Sequence, residues 1–388
     1  MALTWSLNDT GAHIASPSYC YDFTRFLNRI YASCLYGIPY TTDTGANWTM
    51  TNLRPNGTNY YCNRLIVHNG RLFASGDYRV SPVSSICYYT DDGINWTTKR
   101  ISNTYLFPKG YDFYSNGNRL FLMHSANRPY GAEGKYYYTD DNGVTWSGVA
   151  HTLRVSSSMA EHDDKFYVGG NYNNSNFRNK VIYSTDPITP SWINAVDGLS
   201  VVNSTFIRSL KEFDDNLYCC DSRGSVYKLI DPTTWTEVFS GLTSCRHLDV
   251  FYGKLYVCGD SATIEESSVY STVDGETWIA EGITSYSTDV YGIWGDSVDF
   301  RIWAGTVNSR AWVSENIEEN IEEIGSYSAI EIDKLLSVKE SNQLYSLQEM
   351  ASLHNSSDLV SPYSVENTGL LSVKEIAQLH SATRLEEG

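Results

Sequence analysis

A phrase of eight residues recurs along this chain and constrains its fold more than any other feature. It reads Ser/Thr-x-Asp-x-Gly-x-x-Trp in its clearest copies, and two degenerate copies lie between them. The copies end at Trp48, Trp96, Trp146, Trp192, Trp235 and Trp278, which are 48, 50, 46, 43 and 43 residues apart. A repeat of this period indicates an architecture built from supersecondary units and must be interpreted before composition.

We interpret this tryptophan phrase as a structural turn. Asp and Gly favour tight turns, and Trp contributes a large area to a core. The residues predicted to do this are Asp43, Gly45, Trp48, Asp91, Gly93, Trp96, Asp141, Gly143, Trp146, Asp186, Trp192, Gly275 and Trp278. In the last clear copy, Val273 occupies the position assigned to Asp.

A second repeat, a basic or polar residue followed by a short apolar run, lies between the phrases. Its seven copies begin at Arg29, Arg71, Arg119, Lys165, Asn216, Lys254 and Arg301. Each unit reads as four strands, which in the fifth unit span about 205–213, 216–221, 224–230 and 234–239. Seven such units predict an all-β, seven-bladed β-propeller of four-stranded antiparallel blades.

The seventh unit lacks a tryptophan phrase after its third strand. The missing strand is found at the other end of the chain, where Trp5 precedes Trp48 by 43 residues. We therefore predict that the N-terminal strand completes blade seven and closes the ring, which leaves no open blade edge at the junction.

Charge and composition limit the partners. The chain carries 28 Lys+Arg against 45 Asp+Glu, a formal net charge of −17, which disfavours nucleic acid and anionic membrane surfaces. The N-terminal residues lack the pattern of a secretory signal, so we expect synthesis in a cytoplasm. The eight cysteines show no metal-binding spacing, and we expect no metal and no cofactor.

The composition changes near residue 326. Residues 1–325 form the predicted propeller, and 326–388 form an acidic tail with a repeated segment, 346–354 and 372–380. Both copies open with Ser-x-x-Glu, a helix capping box. The residues predicted to share an apolar helical face for docking or oligomerisation are Leu347, Met350, Ala351, Val373, Ile376 and Ala377.

The tryptophan phrase resembles the Asp-box, or BNR repeat, of sialidases and related propellers. The resemblance implies a hairpin between the third and fourth strands of a blade. Sialidases also carry three substrate-binding arginines, a Tyr–Glu pair, an acidic Asp and an Arg-Ile-Pro phrase, and here Gly37 replaces that Arg. We assign no catalytic residue and do not expect an enzyme.

The loops between the second and third strands are the expected ligand face. They carry arginines beside aromatic residues, a combination that suits an anionic or sugar ligand. The candidates are Arg79, Arg128, Tyr130, Arg178, Arg223 and Arg310.

These observations predict a non-enzymatic structural or binding protein. The propeller would be a head that the tail attaches to other proteins of a larger assembly, and the style of the sequence favours a phage virion component made in the host cytoplasm. Binding of a surface glycan is part of this hypothesis. The alternatives are a sialidase-like glycoside hydrolase and a cellular Asp-box assembly factor.

Overall fold

The computed structural model describes the predicted propeller apart from several loops. The described residues are 5–10, 19–35, 37–53, 60–78, 84–102, 109–125, 134–172, 179–200, 205–263, 266–283, 289–306 and 310–315. The predicted helical tail and its six docking residues lie outside the described residues. In the described part of the chain, no helix is long and apolar enough to cross a bilayer.

The described strands form seven antiparallel blades of four strands each, as predicted. The chain enters through β1 (Trp5–Asp9). Blades one to three comprise β2 (Cys20–Phe26), β3 (Arg29–Cys34), β4 (Pro39–Thr41) and β5 (Thr49–Met50), then β6 (Tyr60–His68), β7 (Arg71–Tyr78), β8 (Ser84–Thr90) and β9 (Thr97–Ser102), then β10 (Lys109–Ser115), β11 (Leu120–Ser125), β12 (Gly134–Thr139) and β13 (Ser147–His151).

The remaining blades repeat this order from the inner to the outer strand. Blades four and five comprise β14 (Leu153–His162), β15 (Lys165–Tyr172), β16 (Asn179–Ser184) and β17 (Ile193–Asn194), then β18 (Ile207–Phe213), β19 (Asn216–Asp221), β20 (Val226–Asp231) and β21 (Thr234–Phe239). Blades six and seven comprise β22 (Ser244–Phe251), β23 (Lys254–Asp260), β24 (Val269–Thr272) and β25 (Ile279–Ala280), then β26 (Val290–Asp296), β27 (Arg301–Thr306) and β28 (Arg310–Ser314).

The N-terminal strand closes the ring, as predicted. Strand β1 runs antiparallel to β28, with Trp5 opposite Ser314. The indole nitrogen of Trp5 donates a hydrogen bond of 2.6 Å to the carbonyl of Glu281 in blade six. Strand β1 is thus the outer strand of blade seven, and the two chain regions that form this blade are held by a full ladder of pairs.

The tryptophan of each phrase packs against the preceding blade. Trp278 lies 4.9 Å from the ring of Phe239, and Trp48 packs edge-on against Trp303. Trp235, which is 2 % exposed, donates its indole N–H to the carbonyl of Ala195 at 3.0 Å. Each such indole removes a large apolar area from water at a blade seam, which makes the seams the core of the molecule.

The turn that precedes each of these tryptophans is held by one carboxylate. Asp141 accepts hydrogen bonds from the amide of Thr145 at 2.8 Å and from the hydroxyl of Thr139 at 2.7 Å. Asp43 makes the same contacts with Asn47 and Thr41. Hydrogen bonds to the ionised form lower the pKa of both carboxyls to about 2.

Two copies correct the assignment of the turn residue. In the second copy the amides of Ile94 and Asn95 donate to Asp92, whereas Asp91 forms an ion pair with Arg71 at 2.7 Å. In the sixth copy Asp274 makes these bonds, so Val273 does not stand in the carboxylate's place. In these two copies the segment between the Thr and the Gly of the phrase is one residue shorter. The prediction counted back from the Trp and therefore placed the carboxylate one residue too early.

Both the backbone conformation and the packing against the preceding blade require glycine in the turn. Gly93 has a φ of 71°, and a Cβ on it would lie 2.0 Å from the hydroxyl of Tyr31 in the preceding blade. The same hydroxyl donates to the carbonyl of Gly93 at 3.0 Å. The turn is therefore pressed against the neighbouring blade as well as shaped by its own backbone.

Candidate functional site

The inner strands are interrupted near their first residues. The pairing of inner and second strands shifts register by an extra inner-strand residue in blades one, two, three, four, five and seven. The shifts in blades one, five and seven are centred on Tyr21, Arg208 and Tyr291, and blade four has two shifts, centred on Arg154 and Ser157. Such bulges re-aim a side chain and recur beside functional sites.

Three tyrosines from two neighbouring blades form a cluster at this level. The rings of Tyr19 and Tyr291 lie 4.8 Å apart, those of Tyr21 and Tyr291 5.7 Å, and those of Tyr19 and Tyr21 6.0 Å. All three side chains are half-buried. The cluster bridges blade one and blade seven, and each of its rings is partly exposed.

An arginine from blade six completes this cluster. The guanidinium of Arg246 lies 4.8 Å from the centre of the Tyr291 ring. Asp260 holds it through two hydrogen bonds of 2.9 and 2.6 Å. We call Tyr19, Tyr21, Tyr291, Arg246 and Asp260 the tyrosine mouth.

The tyrosine mouth lies on the expected ligand face. Asp260 is the last residue of the second strand of blade six, and Tyr21 and Tyr291 lie near the start of inner strands. In this topology those strand ends share the face of the loops between second and third strands, opposite the tryptophan turns. The hydroxyl of Tyr291 also donates to Asp289 at 3.3 Å, and burial raises the pKa of Tyr291.

A charged network occupies the inner strands beyond this mouth. Asp22 accepts the amide of Leu65 at 2.9 Å, and Arg64 donates to the carbonyl of Tyr21 at 2.5 Å. Arg64 lies 3.9 Å from Asp112. Burial raises the pKa of Asp22 to about 7 against the opposing effect of Arg64, and Asp112 and Asp249 raise it further.

The network continues on the other side of the ring. Lys211 and Asp249 form an ion pair of 2.6 Å. Burial by itself would lower the pKa of Lys211, but Asp249 reverses the effect and raises it. Burial lowers the pKa of His247, and Arg64 and Lys211 lower it further. Lys211 and Asp249 belong to neighbouring blades, but Arg64 belongs to blade two and His247 to blade six, so the effect of Arg64 on His247 acts across the central channel.

A second tyrosine–carboxylate pair, besides Tyr291 and Asp289, lies among the inner strands. The hydroxyl of Tyr114 donates to Glu161 at 2.8 Å. Both residues are next to last in their strands, so the pair lies near the turn face, away from the tyrosine mouth. Burial and Glu161 raise the pKa of Tyr114, which is the opposite of what activates a tyrosine nucleophile.

The structure places the predicted arginine site as follows. Arg79, Arg128, Tyr130 and Arg178 lie outside the described residues. Arg223 lies in the turn between β19 and β20, and Arg310 is the first residue of β28, so they belong to blades five and seven. Both are exposed, and the structure does not bring them together.

The sequence reasoning missed the residues of the tyrosine mouth. The predicted ligand site was placed in the loops, whereas Tyr21, Tyr291 and Arg246 lie within inner strands. Aligning the seven inner strands on their following turns would have placed these three residues at equivalent positions. Among the described residues, no group of three or more His, Cys, Asp and Glu residues has the geometry to hold a metal ion.

Comparisons with known proteins support the fold. No protein-family profile matches the chain, and no curated protein matches it by sequence. YCF48 from Cyanidioschyzon merolae is similar in structure, with a TM-score of 0.54 and 12 % identity, over 82 % of this chain and 100 % of that chain.

Two structures of the extracellular domain of BT4673 from B. thetaiotaomicron are also similar. Their TM-scores are 0.54 and 0.57 at 14 and 16 % identity, over 84 and 80 % of this chain. In each case the match spans 40 % of that chain. At these identities the likeness shows a shared fold: the chain is a seven-bladed β-propeller with structural neighbours of the YCF48 and extracellular-domain type.

Proposed function

We propose that this chain is a non-enzymatic binding protein whose propeller takes a carbohydrate ligand at the tyrosine mouth. The observation that carries the proposal is the grouping of three half-buried tyrosines with the paired Arg246 and Asp260. Aromatic faces bind the apolar faces of sugar rings, and a fixed guanidinium–carboxylate pair offers donors and acceptors for hydroxyl groups.

Binding fits the central residues better than hydrolysis does. A sialidase-like mechanism would use an activated tyrosine beside a carboxylate and a cluster of arginines at the ligand face. Tyr114 and Glu161 lie toward the other face. At the ligand face Tyr291 donates a hydrogen bond to Asp289, but burial raises the pKa of Tyr291, which disfavours its activation as a nucleophile. The described charged residues of the channel are held by partners such as Leu65, Ser158 and Lys211. Failure to release fluorophore from aryl sialosides is the expected result of an assay for hydrolysis.

A glycan array probed with the labelled full chain tests the binding site. Tyr291→Ala should lower the affinity for a recognised glycan by on the order of tenfold, because it removes the central ring. Arg246→Lys should also weaken binding, since lysine cannot make the paired hydrogen bonds with Asp260.

Tyr89 provides a matched control, because Arg71 lies 4.3 Å from its ring on the turn face. Tyr89→Ala should leave binding unchanged. Equal loss of affinity in Tyr291→Ala and Tyr89→Ala would contradict a site at the tyrosine mouth, and retention of affinity in Tyr291→Ala would overturn it.

The second part of the proposal is that the tail 326–388 attaches the propeller to a larger assembly, most simply a phage virion. It is supported by the repeated amphipathic segments 346–354 and 372–380, which need a surface on which to bury their apolar residues. Pull-downs with the full chain and with a chain that ends at Gly325 test it. Recovery of the same virion proteins by both chains would show that the tail is not the anchor.

A further inference from the structure

Two cysteines face each other across the first two strands of blade one. Cys20 is the first residue of β2 and Cys34 the last residue of β3, and they are directly paired in the register of the ladder. Directly opposed residues of antiparallel strands have Cα atoms about 4.5–5.5 Å apart, within the range that a disulfide spans. Their Sγ atoms lie 2.9 Å apart.

The two thiols are buried beside strands of blades one and seven. Both side chains are fully buried, and the hydroxyl of Thr10, one residue beyond β1, lies 3.8 Å from Sγ of Cys34. The backbone carbonyl of Cys20 is close enough to Gly305 in blade seven that a Cβ there would clash with it. The pair therefore lies at the seam where the first and last blades meet.

We infer that Cys20 and Cys34 form a disulfide under oxidising conditions. This bond covalently links the first two strands of blade one at the ring closure. Formation of an S–S bond of about 2.05 Å requires the sulfurs to approach by less than 1 Å, which small side-chain rotations allow. This inference stands independently of the proposed carbohydrate site, although Tyr19 and Tyr21 flank Cys20 and would be held by the same bond.

The oxidant is a low-molecular-weight disulfide such as oxidised glutathione. One cysteine thiolate attacks it and releases one glutathione thiol, forming a mixed disulfide. The second cysteine thiolate then displaces the other glutathione, so that two protein thiols are oxidised and one glutathione disulfide is reduced to two thiols. Burial raises the pKa of Cys20 strongly, so exchange requires transient opening of the seam and is slow in the closed fold.

Peptide mapping of the full chain tests the inference directly. The protein is incubated with oxidised glutathione, alkylated and digested with trypsin, which separates the cysteines because Arg25 and Arg29 lie between them. We expect a linked pair of peptides that contains Cys20 and Cys34, a loss of two hydrogens in intact mass, and a higher Tm than in the reduced chain. Reduction should reverse all three.

Variants separate this pair from the other buried thiols. Cys20→Ser and Cys34→Ser should each abolish the linked peptides and the oxidation-dependent rise in Tm. Cys87→Ser is the control, because Cys87 is buried and its Sγ contacts the backbone of Tyr88. It should keep both effects.

Two results would overturn the inference in the wild-type chain, whatever the folding of the variants. One is that Cys20 and Cys34 remain alkylatable after prolonged oxidation under conditions that permit opening. The other is that the linked peptides join either cysteine to a different partner.

Discussion

The turn face and the central channel of the propeller differ in how closely they follow the repeat. On the turn face, the same carboxylate, hydroxyl and glycine recur from blade to blade, as Asp43, Asp92, Asp141 and Asp274 show. On the channel side, equivalent inner-strand positions carry different residues, such as Asp22, Arg64 and His247. Residues that recur from blade to blade are those that each blade needs in order to fold. Positions that differ between blades are those that give this molecule its specific features.

The energetic settings of the two faces differ as well. The turn carboxylates are exposed or half-buried, and hydrogen bonds keep their pKa values low. Asp22 is buried, and its pKa is raised. A change of a turn carboxylate should therefore alter the pH dependence of stability only in acid, while a change of Asp22 in the channel should alter it between pH 4 and pH 8. Four predictions test this distinction.

The largest effect is expected from ring closure. A chain that lacks residues 1–9 loses β1, which exposes the edge of β28 and the seam to blade six. We expect a loss of several kcal/mol in the free energy of unfolding, measured by denaturant titration. Trp5→Ala is the matched variant, which removes one indole and should cost about 3 kcal/mol. Equal stability of the truncated and full chains would show that β1 does not hold the ring.

The next effect separates backbone strain from packing. Gly93 and Gly70 have φ values of 71° and 72°, but a Cβ on Gly70 would meet nothing within 4 Å. Gly70→Ala should cost about 1 kcal/mol in unfolding free energy, and Gly93→Ala about 3 kcal/mol or more, because only the latter displaces Tyr31. Equal costs in urea denaturation would mean that the turn is not pressed against the neighbouring blade.

The third prediction concerns pH. A carboxyl whose folded pKa is raised opposes folding increasingly as pH rises from its unfolded pKa, near 4, to its folded pKa, about 7 for Asp22. Asp22→Asn keeps an acceptor for the Leu65 amide and removes this pH-dependent destabilisation. The loss of stability between pH 4 and pH 8 should shrink by on the order of 3 kcal/mol, measured by unfolding at each pH.

Asp43→Asn is the control with the opposite sign. The pKa of Asp43 is lowered to about 2, so its contribution is present above pH 4 and disappears as pH falls toward 2. Asp43→Asn should therefore lower the free energy of unfolding above pH 4, and its difference from the wild-type chain should disappear as pH falls toward 2. An unchanged pH profile in Asp22→Asn would argue against the influence of a buried carboxyl at that position.

The smallest effect concerns the two neighbouring aspartates of the second turn. Asp92→Ala removes the acceptor of two turn amides, whereas Asp91→Ala removes an ion pair with Arg71 in which the Asp91 side chain is 67 % exposed. Exposed ion pairs contribute little. Thermal unfolding should show a clear decrease in Tm for Asp92→Ala and almost none for Asp91→Ala; the reverse order would restore the original assignment to Asp91.

The fold could be predicted because its determinants are local. Turn pairs such as Asp214-Asp215, both with positive φ, lie within a few residues of the strands that they connect. The repeat predicted the number of blades, and the position of Trp5 predicted the closing strand. Both features can be recognised in the order of residues along the chain. The two local errors, at Asp91 and Val273, arose because a phrase shortened by one residue moves the carboxylate to Asp92 and Asp274 without changing its chemistry.

The candidate site was decided by tertiary structure. Tyr21, Arg246 and Tyr291 are separated by as many as 270 residues, and only closure of the ring brings blades six, seven and one together. The inner-strand bulges that re-aim Tyr21 and Tyr291 have no strong sequence signature, and the raised pKa of Asp22 results from burial among charges of other blades. The sequence by itself determined the number, order and closure of the blades, because those depend on short-range turn and strand chemistry. The tertiary structure alone decided what meets at the channel, because contacts across a ring depend on every blade at once.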